Sequence, residues 1–258
     1  MDGVALAARF SLVTNRRQFC GPSDAEPSLY RACVTGEGTP AARSALRQFE
    51  ALSPYLEAIG EKHRRDALDR EVVEAYWIGN DLLEAFDRVD FVRILERLRR
   101  RGLPRSIAER LTGLVPDEAI PYHAFHVSFV GVGAVTGHVP TTVANMEECR
   151  PAWATVDRVD GDALSVRSAP LTWNGAHFAL GTERGRRVTY DPQVLPEVAP
   201  GSAVAVHWGW PALVLTPGQR RALELYSTKS WRAAGASLPA RYPGAASTDG
   251  AESSTSVA

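Results

Sequence analysis

The chain has 258 residues, 45% hydrophobic and 23% charged, with a formal net charge of −1. That is ordinary globular composition, long enough for one large domain or two modest ones. No basic excess points to nucleic acid, no apolar run is long enough for a bilayer, and the N-terminal MDGVALAARFSLVTNRR, with its early Asp2, is a poor signal peptide, so a cytoplasmic protein with no membrane partner is expected.

Residues 1–40 read as irregular, with turns at Cys20-Gly21-Pro22 and Gly36-Glu37-Gly38. A helical region follows. Ala41 to Leu52 has helical apolar spacing, and Ser53-Pro54 reads as a fresh N-cap before a helix through Leu56 and Ile59. Arg70 to Ile78 is predicted as a helix ended by Gly79-Asn80. The stripe Phe91, Ile94, Leu95, Leu98 predicts another, stopped by Gly102-Leu103-Pro104, and Ser106 to Leu111 predicts a short one. The Arg97, Arg99, Arg100, Arg101 cluster then suits the negative end of a helix dipole better than a phosphate.

From His123 to Val135 the chain is rich in Val, Phe and Gly; period alone does not separate a strand pair from a buried helix, and the composition leans towards strand. From Trp153 the signal is β. Thr155 to Val159 and Ala163 to Arg167 form a hairpin across Asp160-Gly161-Asp162. Short strands follow at His177 to Leu180, Arg187 to Tyr190, Ala203 to His207 and Ala212 to Leu215, then a helix from Thr216 to Ala234 with Thr216 as its cap. The expected fold is α+β: a mainly helical domain at 1–145, a small OB-like β-barrel with a C-terminal helix at 146–234, and a disordered tail at 235–258, where small and polar residues offer too little burial to offset ordering entropy.

Three cysteines, Cys20, Cys33 and Cys149, are no disulfide framework; each is a small buried hydrophobe or a working thiol. Cys149 opens the β region in the series Cys149-Arg150-Pro151-Ala152-Trp153-Ala154-Thr155-Val156. The turn Val159-Asp160-Gly161-Asp162, the approach Leu195-Pro196-Glu197-Val198-Ala199-Pro200-Gly201 and the late strand Ala205-Val206-His207-Trp208-Gly209-Trp210-Pro211-Ala212 follow in order. This ordered set resembles the HypC/HupF family, small chaperones of nickel–iron hydrogenase assembly. The chain as a whole is similar to an uncharacterised bacterial family that adds a helical N-terminal region and is associated with hydrogenase gene clusters.

The resemblance covers about a third of the chain. It implies a maturation chaperone that carries iron transiently, as an iron-cyanide/carbonyl centre, with Cys149 as the essential ligand and His207 as a second ligand or a hydrogen-bond partner of the bound centre. The implied partners are the hydrogenase large-subunit precursor and a HypD-like maturation protein. Two departures stand out. Cys149 is internal, so its nitrogen is an amide and not the free α-amine of the family, and Trp153-Ala154 replaces the family's Pro-Gly pair. Leu171 to Gly185 reads as an insertion.

Thiolate and imidazole suit such iron, and ligand atoms of one metal must lie on the order of 4 Å apart. Arg150 would favour a thiolate at Cys149, and Glu147 and Glu148 would oppose it. Trp208 and Trp210 would shield the site, dock a partner, or simply pack. Equally, Cys149 and His207 can be core residues.

The helical part has its own candidates. His123 and His126 are three apart; on a helix they share a face and could chelate a metal, with His138 nearest in sequence, and on a strand they diverge. Cys20 on its tight turn, with His123 or His126 as base, would make an acyl- or amide-processing enzyme; a plain turn is the simpler reading. Glu71 and Glu74 share a helical face in a dense segment with Tyr76, Trp77 and Asn80, a pattern usually solvated. A third possibility is a binding module whose barrel holds no metal.

Overall fold

A computed structural model of the chain describes residues 1–235. The first helix, α1 (Gly3–Arg16), begins at Asp2, whose carboxylate accepts the Ala5 N–H at 2.8 Å, and residues 3 to 15 are all buried. With α2 (Glu26–Thr35) it replaces the irregular stretch expected over 1–40. The physical reason is that α1 lies at the centre: a helix covered on every side shows no apolar stripe. Helices α3 (Pro40–Leu46) and α5 (Arg70–Trp77) pack on it, and α4 (Ser53–His63) packs on α5. Ser53 and Pro54 stand inside the first turn of α4, one residue later than expected, and Ser53 Oγ donates to Glu57 at 2.7 Å.

Helix α6 (Arg88–Arg100) buries Phe91, Ile94, Leu95 and Leu98 on one face, and α7 (Arg105–Thr112) packs on it. The arginines at its end pair with carboxylates: Arg97 with Glu61, Arg99 and Arg100 with Glu96, Arg101 with Glu57.

His123 to Val135 is not strand. It opens as α8 (His123–Phe125) and widens into a π-helix, His126–Gly131, with every residue buried. Burial on all faces removes both the helical and the strand period, so β-branched and aromatic content misleads there. The loop behind it turns at Gly133 (φ +70°), where an added Cβ would lie 1.9 Å from the Val139 carbonyl oxygen. Gly133→Ala is expected to cost about 2–3 kcal/mol in urea unfolding, from the combined backbone strain and clash.

Helix α9 (Val143–Cys149) delivers the chain to the sheet. Strands β1 (Ala152–Asp160) and β2 (Ala163–Ser168) form the expected hairpin, with Asp160 opposite Ala163. The expected insertion holds a small separate hairpin, β3 (Leu171–Trp173) with β4 (Phe178–Leu180). β5 (Arg184–Thr189) pairs with β2, and β6 (Ala203–His207) and β7 (Trp210–Val214) complete a five-stranded antiparallel sheet in the order β5-β2-β1-β6-β7.

No closed barrel forms by strand pairing among the described residues. One backbone bond, Thr189 N–H to Gly209 O at 3.1 Å, ties the end of β5 to the β6–β7 turn. That turn has positive φ at both Trp208 (+52°) and Gly209 (+70°), the two-residue geometry that matches strand twist. Helix α10 (Pro217–Gly235) ends the described chain, and Thr216 Oγ1 caps it by accepting from Gln219 N–H at 3.2 Å. The tail expected to be disordered lies, beyond Gly235, outside the described residues.

Helices and sheet share one apolar core, which runs from Phe10 and Leu12 through Phe125 and Phe129 to Val204 and Ala212. No described helix is long and apolar enough to cross a membrane.

Candidate metal centre

Three chain segments meet beside α1. His207 ends β6, and its Nδ1–H donates to the Phe10 carbonyl at 2.8 Å. A carbonyl only accepts, so the ring's proton is fixed on Nδ1 and the lone pair on Nε2. That Nε2 is buried and has no hydrogen-bond partner. The turn after it is held to α9 by the Trp208 N–H, which donates to Glu148 O at 2.6 Å. This clamp sets His207 beside Cys149.

His123 comes from the other side, at the first residue of α8. Its Nε2 lies 2.9 Å from the Cys149 carbonyl and 3.7 Å from Cys149 Sγ. Its Nδ1 lies 2.8 Å from Tyr76 Oη. One ligand atom each from His123, Cys149 and His207 falls within 4.8 Å of the others. Trp77 packs against both rings, tilted on His123 with centroids 4.2 Å apart and edge-on to His207 at 5.1 Å.

The cluster opens on a cavity of about 60 Å³, which His126, Cys20 and Trp208 also line. A water needs roughly 10–15 Å³ by this measure, so a few small groups fit. No Asp, Glu, Lys or Arg is among the lining residues.

Burial therefore dominates the charge states. It pushes the Cys149 thiol up, with nearby Cys20 adding to it, and it holds His123 well below the usual imidazole range. His207 is pulled down to about 4, again by burial first. The ground state is a neutral thiol beside two neutral imidazoles. A dication would take the place of the thiol proton.

The lowered His207 value has a stability consequence. The unfolded imidazole takes a proton as pH falls through about 6.5, whereas the folded one stays neutral until about 4. Stability is thus full above pH ~6.5 and falls by about 3 kcal/mol towards pH 4, at 1.36 kcal/mol per unit. His207→Asn, whose amide can still reach Phe10 O, is expected to flatten that part of a urea-midpoint profile; an unchanged slope would remove His207 as its cause.

The structure thus brings Cys149 and His207 together, and it adds His123. His123 and His126 do share a helical face, with stacked rings 6.2 Å apart. However, His126 Nδ1 is engaged with Tyr55 Oη at 2.9 Å, and His126 is not part of the three-ligand group. Cys20 lines the same cavity on its turn, its thiol pushed up to about 12 by burial and then by Glu50. His138 is exposed in the loop, away from the cavity lining.

Arg150 does not act on the thiol. Its guanidinium is committed to Glu147 (2.6 Å) and the Ala169 carbonyl (2.7 Å), beside the stacked rings of Trp153 and Trp231. Glu148 pairs with Arg186 at 3.2 Å. Trp208 and Trp210 are both buried, so neither offers an exposed docking face.

In the dense α5 segment Glu71 pairs with Arg65, and Glu74 accepts from Gln219. Asn80 caps the next turn, its Oδ1 accepting from Leu82 N–H at 3.1 Å. The aromatics Tyr76 and Trp77, not the carboxylates, face the site. Phe10, Tyr55 and Tyr76 were not predicted as site residues. Of these, only Tyr76 carries a sequence signal, its clustering with Trp77.

Residues 1–239 match a family of unknown function, DUF6390, and the chain belongs to that family. No curated protein and no solved structure matches it.

Proposed function

We propose that this protein is a metal-binding accessory factor of nickel–iron hydrogenase maturation, a cytoplasmic chaperone rather than a metabolic enzyme. Its cargo would be iron as an iron-cyanide/carbonyl intermediate, and its partners the hydrogenase large-subunit precursor and a HypD-like maturation protein. One observation carries the reading. Cys149 and His207, the two ends of the HypC-like series, are 58 positions apart and yet meet with His123 within 4.8 Å. The donor set fits the cargo: a soft sulfur and imidazole nitrogens suit d-block metals over magnesium or calcium. The buried, unpartnered Nε2 of His207 is a lone pair held ready.

We read the five-stranded sheet as an open variant of the HypC-like, OB-like barrel. The Thr189–Gly209 tie and the helix α10 support that reading.

The test is to purify the protein together with the maturation machinery and record its infrared spectrum. Bands of iron-bound cyanide and carbon monoxide are expected, and Cys149→Ala should abolish both the bands and hydrogenase activity in cells. A protein with no iron and no partner, and a Cys149→Ala strain with full hydrogenase activity, would overturn the proposal.

A thiol enzyme is the rival, and the 3.7 Å Cys149–His123 contact is its best support, in place of the Cys20 pairing with His123 or His126. The charge states oppose it. Burial raises the thiol and lowers the imidazole, so the proton stays on sulfur and the nucleophilic thiolate is scarce. Thiol labelling at neutral pH should leave Cys149 slow to react; rapid selective labelling of Cys149 or Cys20 would favour the enzyme.

A further inference from the structure

We propose that His123 is a third protein ligand of this centre, that Tyr76 is its positioning residue, and that a bound d-block dication ties the helical region to the sheet. This rests on reading the site as a metal centre. His123 lies in the helical region, outside every segment that carries the HypC resemblance.

The geometry is close to that of a bound metal. In a tetrahedral zinc site with typical bond lengths, nitrogen and sulfur ligand atoms lie roughly 3.3–3.6 Å apart. The His123 Nε2–Cys149 Sγ separation is 3.7 Å, and the whole set lies within 4.8 Å. Small side-chain movements close the set, and the fourth position is left to a non-protein ligand.

His123 now has its proton on Nε2, because that atom donates to the Cys149 carbonyl; Nδ1 then accepts from the Tyr76 hydroxyl. To bind a metal through Nε2, the ring must carry its proton on Nδ1 instead. Tyr76 permits this, because a phenol hydroxyl both donates and accepts. It turns, keeps its own proton, and accepts from the new Nδ1–H. The imidazole stays neutral throughout. The one proton given up to solvent is that of the Cys149 thiol, which becomes the thiolate ligand.

His207 needs no such change, since the Phe10 carbonyl already holds its proton on Nδ1. The two histidines therefore differ: one is pre-set and the other is switched by its tyrosine. The π-helix that starts at His126 widens the backbone directly behind His123, a local feature that recurs at functional sites.

Cobalt(II) titration of the full-length, chelator-treated protein tests this. The wild type should take one equivalent and show a thiolate-to-cobalt charge-transfer band with the intense visible bands of a four-coordinate ion. His123→Gln should keep the charge-transfer band, change the visible bands and bind more weakly. Tyr76→Phe should keep the wild-type band shape and weaken binding about 10–100-fold, as loss of an outer hydrogen bond to a ligand does.

Nitrogen-15 NMR of the wild type gives a readout independent of variant folding: zinc should move His123 from the Nε2–H to the Nδ1–H tautomer and leave His207 in its original one. A His123→Gln protein with wild-type affinity and spectrum, or a His123 that keeps its Nε2 proton with zinc bound, overturns the third-ligand proposal and leaves the Cys149–His207 reading standing. A wild type with no thiolate–cobalt band overturns the metal centre itself.

Discussion

Cys149→Ser is expected to weaken binding of a d-block dication by at least about 100-fold while leaving the thermal unfolding midpoint of the metal-free protein almost unchanged. The loss should exceed the 10–100-fold typical of removing an outer partner, because a soft thiolate itself is removed. The fold should tolerate the change. Cys149 Sγ makes a 3.7 Å contact with His123 and a hydrogen bond with Trp208, both of which a hydroxyl can keep, and the backbone that places it is held by other groups: Arg150 N–H to Met146 O at 2.9 Å and Trp208 N–H to Glu148 O. Competition against a coloured chelator measures the affinity. Unchanged binding in Cys149→Ser would remove the thiolate from the site.

Arg150→Met has the opposite profile, a large stability loss with no ligand removed. Arg150 is 1% exposed, and burial lowers its pKa despite its contact with Glu147. Glu147 Oε2 also accepts from the Leu171 N–H at 2.7 Å, so the pair joins α9 to the β3–β4 insertion. Removing one partner of a buried pair leaves the other charge uncompensated, at about 3–5 kcal/mol. Chemical denaturation should show that loss. Arg150→Met with Glu147→Leu should recover part of it, because no unpaired charge remains. A single variant within ~1 kcal/mol of wild type would mean that water reaches Glu147 freely.

The chain's legibility follows from which signals are local. The β1–β2 hairpin could be read because Gly161 and its neighbours force a tight turn between two short β-rich runs, and α10 could be read because Thr216 and Pro217 mark its start. Helix α6 showed its stripe because one face stays in water. By contrast α1 and the segment from His123 are buried on all sides, and no periodicity survives there.

The site divides in the same way. Cys149 and His207 were singled out through an ordered resemblance. The partnership of His123 with them depends on how α8 packs against the end of β6, which no spacing records. Tyr76 was visible only as part of an aromatic cluster, and Phe10 contributes a backbone carbonyl, a group that sequence never distinguishes.

X-ray absorption at the zinc edge of the protein loaded with one equivalent of zinc, a redox-inert stand-in for iron, tests the central claim most directly. The account predicts one sulfur at about 2.3 Å and two imidazole nitrogens at about 2.0–2.1 Å, with the sulfur lost in Cys149→Ser. A shell of oxygen and nitrogen alone in the wild type, or a sulfur that persists in Cys149→Ser, would contradict it.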